Sequence, residues 1–214
     1  MLRYIILGLI LAGLFQVFFW ITQDNKVTLK QNASERFESL SYAPFEGYDK
    51  KVLSPEQIKE DISILIKHTN KVRTYATADA KVILEVASKT NMMVDLGLWL
   101  SGDHEENHKE IQRGLELLKK YPNNINNVIV GNETLLRTDL NEVELMAYLD
   151  FVKGFTKKPI TTAEVWHTLD EYPEIGNHVD FITVHFLPYW ENVPIEQFNN
   201  FIIEKYSIIE KKYP

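Results

Sequence analysis

The chain has 214 residues, no cysteine and a formal net charge of -7. Without cysteine it has no disulfide framework, no thiolate nucleophile and no Cys-ligated metal centre. The negative charge argues against a nucleic-acid partner, because such proteins bind phosphates through clustered Lys and Arg. A composition of 45% hydrophobic and 25% charged residues is typical of a globular protein and excludes a disordered chain or a coiled coil.

The N-terminal segment is strongly apolar. Residues 4–21 read YIILGLILAGLFQVFFWI, a run of about the length that crosses a bilayer as a helix. It ends in bulky residues instead of the small residues of a cleavage site. The sequence therefore predicts an uncleaved transmembrane signal anchor over residues 1–22 and a polar tether over residues 23–35. We expect the rest, residues 36–214, to be a membrane-anchored domain on the periplasmic or extracellular side.

After the tether, short apolar runs alternate with amphipathic stretches, which predicts a parallel α/β sheet with crossover helices. The predicted strands cover residues 37–43, 71–77, 92–100, 128–133, 160–166 and 180–186. The predicted helices cover residues 55–68, 79–90, 104–121, 141–156, 169–176 and 195–212. This makes six β/α units.

The six units favour a (β/α)8 barrel of the TIM type over a doubly wound sheet. Polar and aromatic residues follow the strands, as they do in such barrels, and the sequence has no glycine-rich nucleotide loop. A closed barrel needs eight units and about 250 residues. We therefore expect a partial barrel, from a fragment or a truncated gene product, that exposes two sheet edges and apolar surface.

Aromatic and polar side chains are concentrated where the predicted strands end. Aromatic rings stack on the faces of sugars, and Asn, Glu and His bind hydroxyl groups, so this set predicts a sugar site. A carboxyl group after a buried strand is partly desolvated, which favours the protonated form that a general acid needs. Glu133 fits this role, although Asn132 and Glu133 could equally cap a loop. The candidate residues are Tyr75, Trp99, Asn132, Glu133, Glu164, Trp166, His185, Tyr189 and Trp190.

Several separated blocks resemble the bacterial branch of glycoside hydrolase family 17, the β-1,3-glucanases and β-1,3-glucan-transferring enzymes. The blocks are VIVGNETLLRTDL, ITTAEVWHTLDEYPEIGNHVDFITVHFLPYWE, residues 42–45 and residues 73–75. The resemblance covers about residues 37–214. It implies a retaining (β/α)8 enzyme with Glu133 as acid/base after Asn132, and with Tyr75, Glu164, His185 and Tyr189 lining the cleft. It implies no cofactor and no metal, and a monomer that binds β-glucan.

The chain departs from that family in one respect. Family members place their nucleophile in a Gly-Glu-x-Gly-Trp-Pro-like motif at strand seven, and this sequence has no such motif. A retaining enzyme needs a second carboxylate about 5 to 5.5 Å from the first. Glu164 is a candidate substitute, but a residue of this kind more often binds substrate. The alternative to an enzyme is therefore a non-catalytic glucan-binding or vestigial protein.

A further alternative is a zinc site, because residues 104–108 read HEENH and match the H-E-x-x-H pattern. The flanking residues are charged, whereas a metalloprotease shields its metal with apolar residues. We interpret the segment as the solvated first turn of a helix, with acidic residues where the helix dipole favours them.

Overall fold

The computed structural model describes residues 2–23, 36–46 and 51–213. The chain divides into two compact units, Met1–Glu35 and Arg36–Pro214. The first unit contains helix α1, Leu2–Gln23. Within the described part of the chain, no helix combines the length and apolar character needed to cross a membrane. This finding does not support the predicted anchor. Except for Gln23, the predicted tether lies outside the described residues.

The second unit alternates strands and helices, as predicted. Its strands are β1 Leu40–Ser41, β2 Phe45–Glu46, β3 Lys51–Val52, β4 Lys71–Arg73, β5 Met93–Leu98, β6 Ile125–Asn132, β7 Ile160–Val165 and β8 Thr183–His185. Its helices are α2 Pro55–Leu65, α3 Thr77–Ala87, α4 His104–Lys120, α5 Glu142–Lys153, α6 Trp166–Glu171 and α7 Phe198–Lys212. Two short 3-10 helices, Pro173–Asn177 and Ile195–Gln197, lie after α6 and before α7.

Six parallel strands form one sheet in the order β1-β4-β5-β6-β7-β8. The sheet is strongly curled. In a flat sheet β4 and β8 would lie about 19 Å apart, four spacings of about 4.8 Å. However, Arg73 on β4 and His185 on β8 are in hydrogen-bond contact at 2.9 Å. The sheet is therefore a half-barrel, which agrees with the predicted partial TIM-like fold.

The helix boundaries have local causes. Ser54 caps α2 and Asn141 caps α5, each through a reciprocal capping box, with Gln57 and Glu144 respectively. Asp103 caps α4 by accepting hydrogen bonds from the first-turn amides. These helices, like α3, pack apolar residues against the sheet, where they form the buried core.

Two features of the fold were not predicted. The antiparallel pair β2 and β3 follows the first strand, where the sequence showed no alternation. Glu110 on α4, one of the charged residues that flank the HEENH segment, is buried. Its carboxylate accepts hydrogen bonds from the backbone amides of Thr77 and Trp99 and from Arg113. Glu110 therefore joins the segments that follow β4 and β5.

Candidate active site

A bulge in β6 directs Asn132 into the half-barrel. The register between β6 and β7 shifts between Ile129 and Asn132, where three steps on β6 match two on β7. Gly131 lies in this bulge with φ of 82°, a conformation that glycine adopts at little cost. Without the extra residue, side-chain alternation would turn Asn132 to the face opposite Ile129. The bulge instead lets Asn132 contact Arg73 on β4.

Glu133 directly follows the strand in a left-handed backbone conformation, with φ of 54°. For a residue with a side chain this conformation costs about 1–2 kcal/mol. Its amide donates to the carbonyl of Ala163 on β7 at 2.7 Å. This hydrogen bond fixes the start of the turn to the neighbouring strand. A strained backbone conformation such as that of Glu133 is common at functional sites.

Glu133, His185 and Arg73 form a chain of hydrogen bonds. One guanidinium nitrogen of Arg73 lies 2.9 Å from Nε2 of His185, and Nδ1 of His185 lies 2.7 Å from Oε1 of Glu133. Arg73 can only donate, so Nε2 must accept and Nδ1 must carry the hydrogen. His185 is therefore neutral and donates to the Glu133 carboxylate.

The electrostatic environment agrees with this protonation state. Burial lowers the pKa of His185, and the positive charge of Arg73 lowers it further, against the opposing effect of Glu133. Both side chains stay accessible, with 18% of His185 and 24% of Glu133 exposed. The second carboxyl oxygen of Glu133 has no hydrogen-bond partner among the residues that the structure describes. Because the side chain is also partly exposed, the carboxyl can exchange a proton with a bound molecule.

Arg73 and Arg137 both donate hydrogen bonds to Asn132. Neither was among the candidate site residues predicted from the sequence. The second guanidinium nitrogen of Arg73 donates to Oδ1 of Asn132 at 2.6 Å, and the group lies 4.9 Å from the centre of the Tyr75 ring. Arg137 donates to the carbonyls of Asn132 and Leu100. Strand alternation places residues 73 and 75 on one face, so the sequence could have identified Arg73 together with Tyr75. The position of Arg137 is set by a turn that the sequence does not reveal.

Arg137 contacts both Trp99 and Asn132. The guanidinium group of Arg137 covers one face of its ring at 4.4 Å, and 40% of Trp99 is exposed. Tyr189 and Trp190 are 73% and 75% exposed, with their rings edge to face at 5.4 Å. Open aromatic faces of this kind can stack on sugar rings.

Trp166 follows β7 but is held by other side chains. Its indole N–H donates to Glu191 at 2.8 Å, and the ammonium group of Lys205 lies 4.6 Å from its ring centre. Both partners come from the segment after β8, a contact that the sequence prediction missed.

Glu164 does not fit the predicted place in the cleft. The residue is fully buried, with 0% exposure. In the β7–β8 register Glu164 pairs with Val184 and Val165 pairs with His185, so alternation directs Glu164 to the face opposite His185. Burial raises the pKa of its carboxyl, and the charge of Glu133 adds to this, against the opposing effect of the hydrogen bonds from the Leu135 amide and the Thr134 hydroxyl. A buried group on the far face cannot reach the anomeric carbon as a nucleophile.

The HEENH segment begins α4 on the outer surface. His104 contacts the hydroxyl of Tyr148 at 2.9 Å, and Nδ1 of His108 donates to the carbonyl of His104 at 2.7 Å. Across residues 2–23, 36–46 and 51–213, no group of three His, Cys, Asp or Glu side chains could hold a metal ion. This geometry gives the zinc alternative no support.

Comparison with known proteins gives the family. The profile of the BtgE/BtgC glycoside hydrolase domain matches residues 39–214. A glucan 1,3-beta-glucosidase from Schizosaccharomyces pombe is 27% identical over an alignment of 167 positions that covers 71% of this chain and 51% of the relative. The chain thus spans about half the length of that curated relative.

Solved structures give the same fold. An active-site mutant of the Rhizomucor miehei β-1,3-glucanosyltransferase in complex with laminaritriose has a TM-score of 0.73 and 25% identity, covering 83% of this chain and 67% of that one. An endo-laminarinase from Formosa has a TM-score of 0.71 at 17% identity, covering 82% and 62%. The Rhizomucor miehei β-1,3-glucanosyltransferase belongs to glycoside hydrolase family 17, so the resemblance to that family is confirmed. The chain belongs to the BtgE/BtgC glycoside hydrolase domain family.

Proposed function

We propose that the domain acts on β-1,3-glucan as a retaining glycoside hydrolase or transglycosylase, with Glu133 as general acid/base. The observation that carries this proposal is the Glu133 carboxyl, which accepts a hydrogen bond from His185 on one oxygen, has no described partner on the other, and belongs to a side chain that is 24% exposed. The names of the similar proteins, a glucan 1,3-beta-glucosidase and a β-1,3-glucanosyltransferase, supply the substrate class.

In this reaction the second oxygen of Glu133 protonates the glycosidic oxygen as its bond to the anomeric carbon breaks and a carboxylate nucleophile bonds to that carbon. The same oxygen then takes a proton from water, in hydrolysis, or from a sugar hydroxyl, in transfer. Asn132, held by Arg73, would bind the 2-hydroxyl. We assign only the acid/base half of the reaction to these residues, because Glu164 cannot serve as nucleophile.

We assign substrate binding to aromatic side chains around this centre. Trp99 is supported by its 40% exposure and by the link that Arg137 makes to Asn132. Tyr75, Tyr189 and Trp190 are supported by their positions after β4 and β8. Trp166 has the weakest support, since Glu191 and Lys205 occupy its indole nitrogen and ring.

The experiment is a product analysis with laminarin and reduced laminarioligosaccharides, using the full chain and its Glu133→Gln variant. Release of shorter or transferred oligosaccharides by the wild type, and their loss in the variant with binding retained, supports the proposal. Glu105→Gln, which changes a carboxylate that is 81% exposed on α4, is the matched control. Binding by the wild type without any product supports the alternative of a non-catalytic glucan-binding protein.

The location of the domain stays a proposal that depends on the apolar sequence of residues 4–21. A membrane location, with the domain in the periplasm or outside the cell, is tested by fractionation of cells that express the full chain or residues 36–214. Recovery of both forms in the same soluble fraction would contradict it.

A further inference from the structure

Glu164 lies behind the turn that carries Glu133. Its Oε1 accepts a hydrogen bond from the hydroxyl of Thr134 at 3.0 Å and another from the backbone amide of Leu135 at 3.0 Å. The preceding residue of β7, Ala163, accepts the amide of Glu133 through its carbonyl. Two successive residues of β7 therefore bind three successive residues of the turn.

These hydrogen bonds act on a backbone that needs support. Glu133 has φ of 54°, a conformation that side chains disfavour. Thr134 is fully buried, so its hydroxyl would lose water without gaining a partner if Glu164 were absent. The acceptor on β7 therefore favours the turn geometry in which the Glu133 carboxyl meets His185.

A carboxyl group at this position loses its hydration on burial, which is unfavourable for folding. Glu164 is fully buried, and within the described structure its Oε2 has no hydrogen-bond partner. An apolar residue of similar size would avoid that cost but would leave the Leu135 amide and the Thr134 hydroxyl unpaired. The need for an acceptor in the turn accounts for a carboxyl group here, whereas packing alone does not.

We propose that Glu164 is a positioning residue for the acid/base group: it holds the turn of residues 133–135 so that the Glu133 carboxyl faces the scissile bond. This inference depends on the proposed function of Glu133. Because Glu164 lies on the face opposite the cleft, its loss changes the chemical step and leaves glucan binding intact.

Three variants of the full chain test the proposal. Glu164→Met removes the acceptor at similar length, Glu164→Gln retains one acceptor oxygen, and Thr162→Val is the control. Thr162 lies two positions earlier on the same face of β7, is 2% exposed, and its hydroxyl has no partner among the described residues. We measure kcat and KM with a laminarioligosaccharide, and the hydrogen exchange of the Leu135 amide.

We expect Glu164→Met to lower kcat about 100-fold, the effect of a displacement of about 1 Å, with KM changed less than threefold. Glu164→Gln restores kcat to within about fivefold of the wild type, and Thr162→Val leaves kcat unchanged. The Leu135 amide exchanges faster in Glu164→Met only. If Glu164→Met fails to fold, Thr134→Val, which removes one of the two hydrogen bonds at similar volume, carries the same expectation with a smaller loss.

An unchanged kcat in Glu164→Met, or an equal loss in Thr162→Val, would overturn the positioning role while the proposed function stands. An inactive wild type would overturn the proposed function instead. In that case the exchange measurement still decides the role of Glu164, because an unchanged Leu135 amide would show that Glu164 does not hold the turn.

Discussion

The imidazole of His185 donates a hydrogen bond of 2.7 Å to the carboxylate of Glu133, across 52 residues of sequence. The curl of the half-barrel brings β8 close enough to β4 for Arg73 to bind the other imidazole nitrogen. Since Arg73 can only donate, this contact sets the tautomer that His185 presents to Glu133. Arg73, on a different strand from Glu133, therefore fixes the direction of the hydrogen bond on the proposed acid/base group.

Replacing His185 tests this relationship. We expect His185→Leu to lower kcat/KM by about 100-fold or more, because it removes the N–H that orients the Glu133 carboxyl and leaves one of the two guanidinium nitrogens of Arg73 that donate in the site without an acceptor. His185→Asn keeps a donor near the position of Nδ1 and should retain more activity. Steady-state kinetics on a laminarioligosaccharide provide the measurement. The control is His178→Leu. His178 lies outside the site, and its Nδ1 is 2.8 Å from a carboxyl oxygen of Asp150. Equal activity of His185→Leu and the wild type would contradict the expectation.

The same histidine predicts a pH dependence of stability. Burial lowers the pKa of His185 in the folded chain, so below the unfolded value of about 6.5 the unfolded state binds more protons. The free energy of unfolding therefore falls as the pH falls from about 6.5 towards the lowered folded pKa, and the contribution is fully present above about 6.5. Urea unfolding from pH 7.5 to 5 should show a smaller advantage of the wild type over His185→Asn at low pH. A constant difference would contradict this.

Gly97 on β5 lies so close to the end of β4 that there is no room for a side chain. A Cβ at this position would lie 2.3 Å from the carbonyl oxygen of Thr74, which the sheet holds in place. We expect Gly97→Ala to lower the free energy of unfolding by about 3 kcal/mol. Gly102→Ala is the matched control, because its Cβ would meet Asp139 at an ordinary 3.5 Å. Similar urea midpoints for the two variants would show that the strands can separate at no cost.

We expect Trp99 to contribute to substrate binding and not to the chemical step. Its open face should stack on a glucose unit, so Trp99→Ala should raise KM about 10-fold, the equivalent of about 1.4 kcal/mol, with kcat nearly unchanged. Phe155→Ala, which removes a 63% exposed ring just after α5, serves as control. A fall in kcat at constant KM would indicate that Trp99 acts on Glu133 through Arg137 instead of on the sugar.

Most of the fold could be predicted because its elements have local causes. The alternation of apolar runs and amphipathic stretches predicted six strands and six helical segments in the right order, and capping residues such as Ser54 and Asn141 marked helix starts. The pair β2 and β3 has only two residues in each strand, too few for a periodic pattern. Glu110 is buried by partners that come from two other segments, which no local pattern reveals.

The site was predicted in part. Residues at the carboxyl ends of strands, such as Asn132 on β6 and His185 on β8, could be placed because these ends share one edge of a parallel sheet. The side-chain face was harder to predict, since a one-residue shift reverses it. For this reason Glu164 was expected in the cleft but lies behind it, while Asn132 reaches the interior only through the bulge at Gly131. The direct contact of Arg73 with His185 depends on the curl of the whole sheet.

Rescue of a Glu133→Ala variant by azide on an aryl β-laminaribioside tests directly whether Glu133 is the acid/base group. The aryl group of this substrate needs little acid assistance to leave. We predict that the variant loses about 100-fold or more in activity on laminarin and that azide restores turnover of the aryl glycoside. The product should be a β-glycosyl azide, because azide replaces the water that Glu133 would activate. Unchanged laminarin cleavage by Glu133→Ala, or turnover without any glycosyl azide, would contradict the assignment of Glu133 as acid/base.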